Sequence, residues 1–204
     1  MQHLTKSRRD PPPPRAQPLT PRVGQAGVTL VELLVVIVIV AILMSIGVPS
    51  YTYVTTSNRM ATEIDQLLGD LQYARSEAIR EGQYVVVCVA QSTSPSSPSC
   101  ASSGTTTWQK GWIVFADLNN NGTIDGGEPV LRIRNAFSSS DTFVSNPATS
   151  SVTFNRDGFA HLGSATTRLT LDDSVDTQAY ARCLDISQAG MMATQTHSSD
   201  SSCR

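Results

Sequence analysis

Twelve residues beginning at Asp117 place oxygen donors at the spacing of a calcium loop. Asp117, Asn119, Asn121, Asp125 and Glu128 fall at positions 1, 3, 5, 9 and 12, with Gly122 at position 6, the order that lets side chains wrap a hard cation around a sharp turn. A loop of that kind joins two helices, whereas the flanking residues 112–116 and 130–134 are β-branched and aromatic runs that predict strands. The expectation is therefore a hairpin whose Asn, Asp and Gly supply turn angles. No metal or other cofactor is expected, with calcium as the weaker alternative.

Other chemistry is sparse. A nucleophile elbow, a P-loop, a dinucleotide fingerprint and an HExxH pair are all missing from the 204 residues. The three histidines are separated: His3 precedes the first apolar run, His161 sits in a strand-like stretch and His197 in a polar tail. Asp172, Asp173 and Asp176 form an acidic cluster of the sort that usually marks a solvated turn. This distribution predicts a non-enzymatic protein.

Cys88, Cys100, Cys183 and Cys203 allow three pairings, and none has the CxxC spacing of a zinc or redox site. Disulfides fit a domain outside the cytoplasm. The sequence-local pairs Cys88–Cys100 and Cys183–Cys203 are preferred. The first would pin a Ser-rich loop (residues 91–107) to its strand, and the second would tie down the polar tail.

The elements around these groups follow from charge and hydropathy. Residues 1–27 are Pro-rich and hold 5 of the 15 Lys and Arg but 1 of the 17 Asp and Glu. Ten basic against sixteen acidic residues remain, a formal charge of −6 for residues 28–204. Residues 28–48 read VTLVELLVVIVIVAILMSIGV, and as a helix would extend ~31 Å, the thickness of bilayer hydrocarbon. Basic residues before this run, and none after it until Arg59, put the N-terminus in the cytoplasm and the rest outside. One residue conflicts with lipid: Glu32, a carboxylate inside the apolar segment.

The string from Gly27 through Val28 to Glu32, after a basic leader and before an uninterrupted apolar tail, resembles the processing site of type IV pilins and type II secretion pseudopilins. That resemblance implies cleavage by a prepilin peptidase between Gly27 and Val28, methylation of the new amine on Val28, and Glu32 as fifth residue of the mature chain. Val28 stands where the family usually has Phe. In lipid a carboxylate demands a cation. The N-terminal amine of a neighbouring subunit would supply it.

Beyond Gly47 and Pro49, which predict a bend, Met60, Ile64, Leu67, Leu68, Leu71, Ala74, Ala78 and Ile79 recur at spacings of three and four. Arg59, Glu63, Asp70, Arg75 and Glu81 are assigned to other faces, and Gly82 ends the helix. Strands are expected over residues 84–90, 112–116, 130–134, 152–154, 159–162, 168–171 and 179–186. The organisation expected is a leader (1–27), a transmembrane segment (28–48), an amphipathic half-helix (49–82) and a periplasmic β-rich domain (83–204). The class is α+β, one long helix packed on antiparallel sheet.

The stretches GWIVFADLNNNGTIDGGEPVLRIR (residues 111–134) and FNRDGFA (residues 154–160), with a late Cys-containing strand, are similar to the GspH/FimT branch of pilin-like proteins. The resemblance implies a minor subunit of a type IV pilus, or alternatively of a type II secretion pseudopilus, anchored in the inner membrane. Its partners would be other minor and major pilins or pseudopilins. Some FimT-like proteins bind DNA through a GRxR-type motif, but the matching residues 190–193 here read Gly-Met-Met-Ala. With the net charge of −6, only a local patch of Arg132, Arg134, Arg168, Arg182 or Arg204 would remain to meet phosphate. Nucleic acid is not expected as a partner.

Overall fold

The structure is a computed structural model that describes residues 27–175, 179–200 and 202–203. The leader up to residue 26, Asp176 and Arg204 lie outside these. The chain divides into two compact units, residues 1–46 and 47–204.

In the first unit, helix α1 (Leu30–Glu81) begins, and its apolar side chains stand exposed. Among the described residues it is the one helix long and apolar enough to cross a membrane. The backbone remains helical through Gly47 and Pro49.

In the second unit, α1 buries Met60, Ile64, Leu67, Leu71, Ala74 and Ala78, each 2% exposed or less. These alternate at four and three residues and so form one stripe. Ile79, included in the expected stripe, is 51% exposed instead. Glu63 and Asp70, assigned by sequence to other faces, are both buried, and so is Glu77. Their spacing of seven explains it: residues seven apart nearly superimpose along a helix, so the three acids line the edge of the apolar stripe. Gly82, at φ 66°, turns the chain out of the helix, and the Gln83 N–H donates to the Ala78 carbonyl at 3.3 Å.

Ten strands follow among the described residues: β1 (Tyr84–Ser92), β2 (Ser99–Cys100), β3 (Gly111–Asp117), β4 (Val130–Asn135), β5 (Thr142–Asn146), β6 (Ser151–Phe154), β7 (Ala160–His161), β8 (Thr166–Asp172), β9 (Arg182–Ser187) and β10 (Met192–Thr196). They form two antiparallel sheets, in keeping with the expected α+β class. The first has the order β4-β3-β1-β6-β7, with β2 paired to β1, and the second β10-β9-β8-β5. Strands β2, β5 and β10 went unforeseen. The short β2 lies inside the stretch read as a Ser-rich loop, β5 offers only Phe143 as a fully buried large side chain, and β10 is a polar, half-exposed edge.

Strands β1 and β3 are apolar at nearly every position because the first sheet is covered on both faces. Val85, Val87, Val89, Trp112 and Val114 face the helix stripe and share one core with Phe143, Leu169, Leu171, Leu184 and Ile186 of the second sheet. Val86, Cys88, Ala90, Ile113 and Phe115 face the other way, under Cys100, Ile124, Val130 and Ile133.

Helix and sheet are joined by a polar contact inside the core. Asp70, 0% exposed, accepts hydrogen bonds from Trp112 Nε1 at 2.9 Å, Arg134 Nε at 2.7 Å and Arg132 Nη1 at 2.6 Å. The Arg132 guanidinium also lies 3.7 Å from the centre of the Tyr73 ring. Burial pushes the Asp70 carboxyl up, but the donors Arg134, Arg132 and Trp112 outweigh it and hold the group below its ordinary range. Its contribution is present above the unfolded value of about 4 and is lost as pH falls through the lower folded value. Asp70→Ala should destabilise the fold by about 3–5 kcal/mol in denaturant unfolding, since two guanidinium groups and an indole N–H lose their acceptor. The acid limb of the wild-type stability profile should flatten in the same variant.

Candidate functional site

At the start of α1, residues 27–29 are non-helical and Thr29 caps the helix. Its Oγ1 accepts the Glu32 N–H at 3.2 Å, and its carbonyl accepts the Leu33 N–H at 3.1 Å. Glu32 thus occupies the third helical position of a Thr-x-x-Glu capping sequence, in the first turn where the helix dipole is positive. The cap escaped the sequence reading, although the T-x-x-E spacing signals it. Gly27 and Val28 lie immediately before it, with Val28 exposed. Among the described residues no cation pairs with the Glu32 carboxylate.

Disulfides join Cys88 to Cys100 and Cys183 to Cys203. The first ties β2 to β1, with which it also pairs, and the far end of the Ser-rich loop is held again where Thr107 bridges Val144 of β5. The second bonds β9 to the tail that follows β10.

The segment from Asp117 to Glu128 joins β3 to β4, as a hairpin rather than between helices. Asp117, 1% exposed, accepts the Asn121 N–H at 3.1 Å and the Gly122 N–H at 2.8 Å. Glu128 takes the Leu118 N–H at 2.8 Å on one oxygen and the Asp125 N–H at 3.0 Å on the other. The side-chain amides of Asn119 and Asn121 turn their nitrogens to Asp125 Oδ2, at 2.9 and 2.6 Å. These two bonds hold the Asp125 carboxyl below its ordinary range. The loop thereby closes on N–H groups, and Ile124 at its tip packs over the outer face of the first sheet. Among the described residues no three His, Cys, Asp or Glu side chains converge as metal ligands.

A groove beside this loop, of about 440 Å³, is lined by Tyr84, Asp117, Asn121, Phe159 and His161 among others. Its one carboxylate is the Asp117 group already bonded to backbone. His161 is exposed on β7, and His197 shares a 3.0 Å hydrogen bond with the Cys203 carbonyl. In the acidic cluster, Asp172 pairs with Thr142 across β8 and β5, and Asp173 is buried.

The basic residues considered for phosphate binding are largely engaged. Arg132 and Arg134 meet Asp70, Arg168 meets Asp185 at 2.6 Å and Asp200 at 2.9 Å, and Arg182 donates to Ser57. At residues 190–193 the chain makes a tight turn: Gly190 has φ 71°, and a Cβ there would meet the Gly158 carbonyl at 2.2 Å. Arg75 of α1 binds both carbonyls, Gly158 at 3.0 Å and Gly190 at 2.9 Å. That position serves packing between the helix and two turns.

Calcium or a chelator should leave the unfolding midpoint unchanged in scanning calorimetry. Asp117→Ala, which strips the acceptor from two backbone donors, should lower stability by about 1–3 kcal/mol.

Comparison with known proteins agrees with this architecture. The prokaryotic N-terminal methylation motif matches residues 22–48. A search of curated proteins returned no match. Among solved structures, the type IV minor pilin FimU of Pseudomonas aeruginosa is similar in fold, with 24% identity, a TM-score of 0.53, and coverage of 69% of this chain and 91% of FimU. A second crystal form of FimU gives 24% identity and a TM-score of 0.48 over 66% of this chain and 90% of FimU. The model of the family described as type II transport protein GspH matches residues 63–190, from the buried half of α1 to the turn before β10, and the chain therefore belongs to the GspH family of pilin-like subunits.

Proposed function

We propose that this chain is a minor pilin that enters the inner membrane through residues 28–48, carries its disulfide-bonded domain in the periplasm, and helps prime type IV pilus assembly. Prepilin peptidase cuts between Gly27 and Val28, and the amine of Val28 is methylated. The observation that carries the reading is Glu32, a carboxylate on the first turn of an exposed apolar helix with no cation beside it among the described residues. Left in hydrocarbon the charge costs ~2.5–3.5 kcal/mol on insertion scales. Pairing with the processed amine of an adjacent subunit offsets that cost, so the group favours the assembled state and fixes its register.

The fibre could equally belong to a type II secretion machine, a reading favoured by the description of the matching family. Deletion of the gene separates the two. On the pilus reading, electron micrographs of deletion cells show few or no surface pili, the wild-type gene restores them, and Glu32→Ala does not. Normal piliation together with lost enzyme secretion would transfer the same assembly role to the secretion pseudopilus.

A further inference from the structure

Glu63 has an unusual position for an acid. It is 8% exposed, Ser139 Oγ donates to its Oε1 at 2.8 Å, and its Oε2 is buried with no hydrogen-bond donor. A second buried carboxylate adjoins it. Asp141, its side chain 1% exposed, is held by Arg59 through Nε and Nη2, both at 2.8 Å, while Arg59 itself is 44% exposed. The Arg59 guanidinium spends its two-pronged contact on Asp141 and acts on Glu63 only as a nearby charge. The charged groups facing Glu63 are Arg59 from its own helix and Asp141 from the segment between β4 and β5. A buried oxygen without a donor, beside a carboxylate, is satisfied when it carries a proton and donates it to that neighbour.

The segment that supplies Ser139 and Asp141 is anchored at its start by Phe137. Phe137 packs edge-on against Trp112, with ring centres 6.1 Å apart, and stacks on Phe143 at 6.0 Å. Its N–H donates to the Gln109 carbonyl at 2.9 Å.

We propose that Glu63, Asp141 and Arg59 form a proton-linked clasp, in which opening of residues 136–141 away from α1 is coupled to release of one proton from Glu63. With the proton in place, Glu63 donates to Asp141 and the segment is shut. Without it, two buried negative charges face each other across the contact, and water must enter to solvate them. Burial, and then the charge and hydrogen-bond acceptance of Asp141, push the Glu63 carboxyl up to about 7, against the opposing hydrogen bond from Ser139 and the charge of Arg59. The folded value exceeds the unfolded one, so the stabilisation is complete at acid pH and is lost as pH rises through about 7.

The experiment is hydrogen exchange by mass spectrometry on the full chain in detergent micelles between pH 5 and 8.5, corrected for intrinsic exchange rates. Protection of residues 136–141 should fall about tenfold per pH unit up to about 7 and level off above it, the slope of a single linked proton. Glu63→Gln, which keeps the donor and removes the titration, should give a flat profile. Asp141→Asn should move the levelling-off to lower pH. A flat wild-type profile overturns the proposal without reference to any variant, and so does a wild-type slope that survives in Glu63→Gln, since the proton then belongs to another group.

Discussion

A carboxylate with no access to water must find its whole hydration shell in the protein, and Asp70 finds it on one strand pair. Trp112 comes from β3, and Arg132 and Arg134 from β4. The pairing of Trp112 with Arg134 across β3 and β4 lets the indole and guanidinium converge on one oxygen. Three donors on two strands determine both the register of that hairpin and the height of α1 above it. Apolar packing alone would leave the helix free to adopt several neighbouring positions, because Leu and Val side chains interdigitate almost equally well after a small slide. The acceptor at Asp70 discriminates between them.

The outer face of the first sheet meets a different constraint. Val86, Cys88, Ala90, Ile113 and Phe115 have no helix over them, and left bare they would form an adhesive patch. Two covalently or locally closed loops cover them instead. The Cys88–Cys100 bond draws β2 across one end, and the self-bonded turn from Asp117 to Glu128 lays Ile124 across the other. The oxygen-rich string at that turn is thus explained by folding: each of its three carboxylates holds an N–H group of the same loop.

The N-terminal segment and the apolar helix stripe were legible because each rests on periodicity or an uninterrupted run. Strands β1, β3, β4, β6, β7, β8 and β9 were visible as β-branched or aromatic clusters between turn residues. Strands β5 and β10 were not, because TFVSN and MATQT owe their order to neighbours: one is pinned beside β8, the other on β9. The acids of α1 were misplaced for a related reason. Polarity assigns Glu63 and Asp70 to solvent, and only the arrival of Ser139 or of the two β4 arginines, 60 to 80 residues later, makes burial tolerable. The same long-range pairing removed Arg132 and Arg134 from any phosphate-binding patch, a fate that their shared strand face could not reveal. Thr29 was the reverse case, a local signal present in the sequence and passed over beside the more conspicuous Glu32.

The regular sevenfold spacing of Glu63, Asp70 and Glu77 also has a mechanical meaning. The first two bond to separate parts of the β-domain, Ser139 and the β3–β4 pair, while Arg75 between Asp70 and Glu77 grips the Gly158 and Gly190 carbonyls. These attachments span several turns of the helix and lie roughly along its length. A tensile load on this part of α1 therefore acts on them in shear, and they must yield together rather than peel one after another. That geometry resists sliding of the β-domain along the helix more than it resists any single contact being pried open.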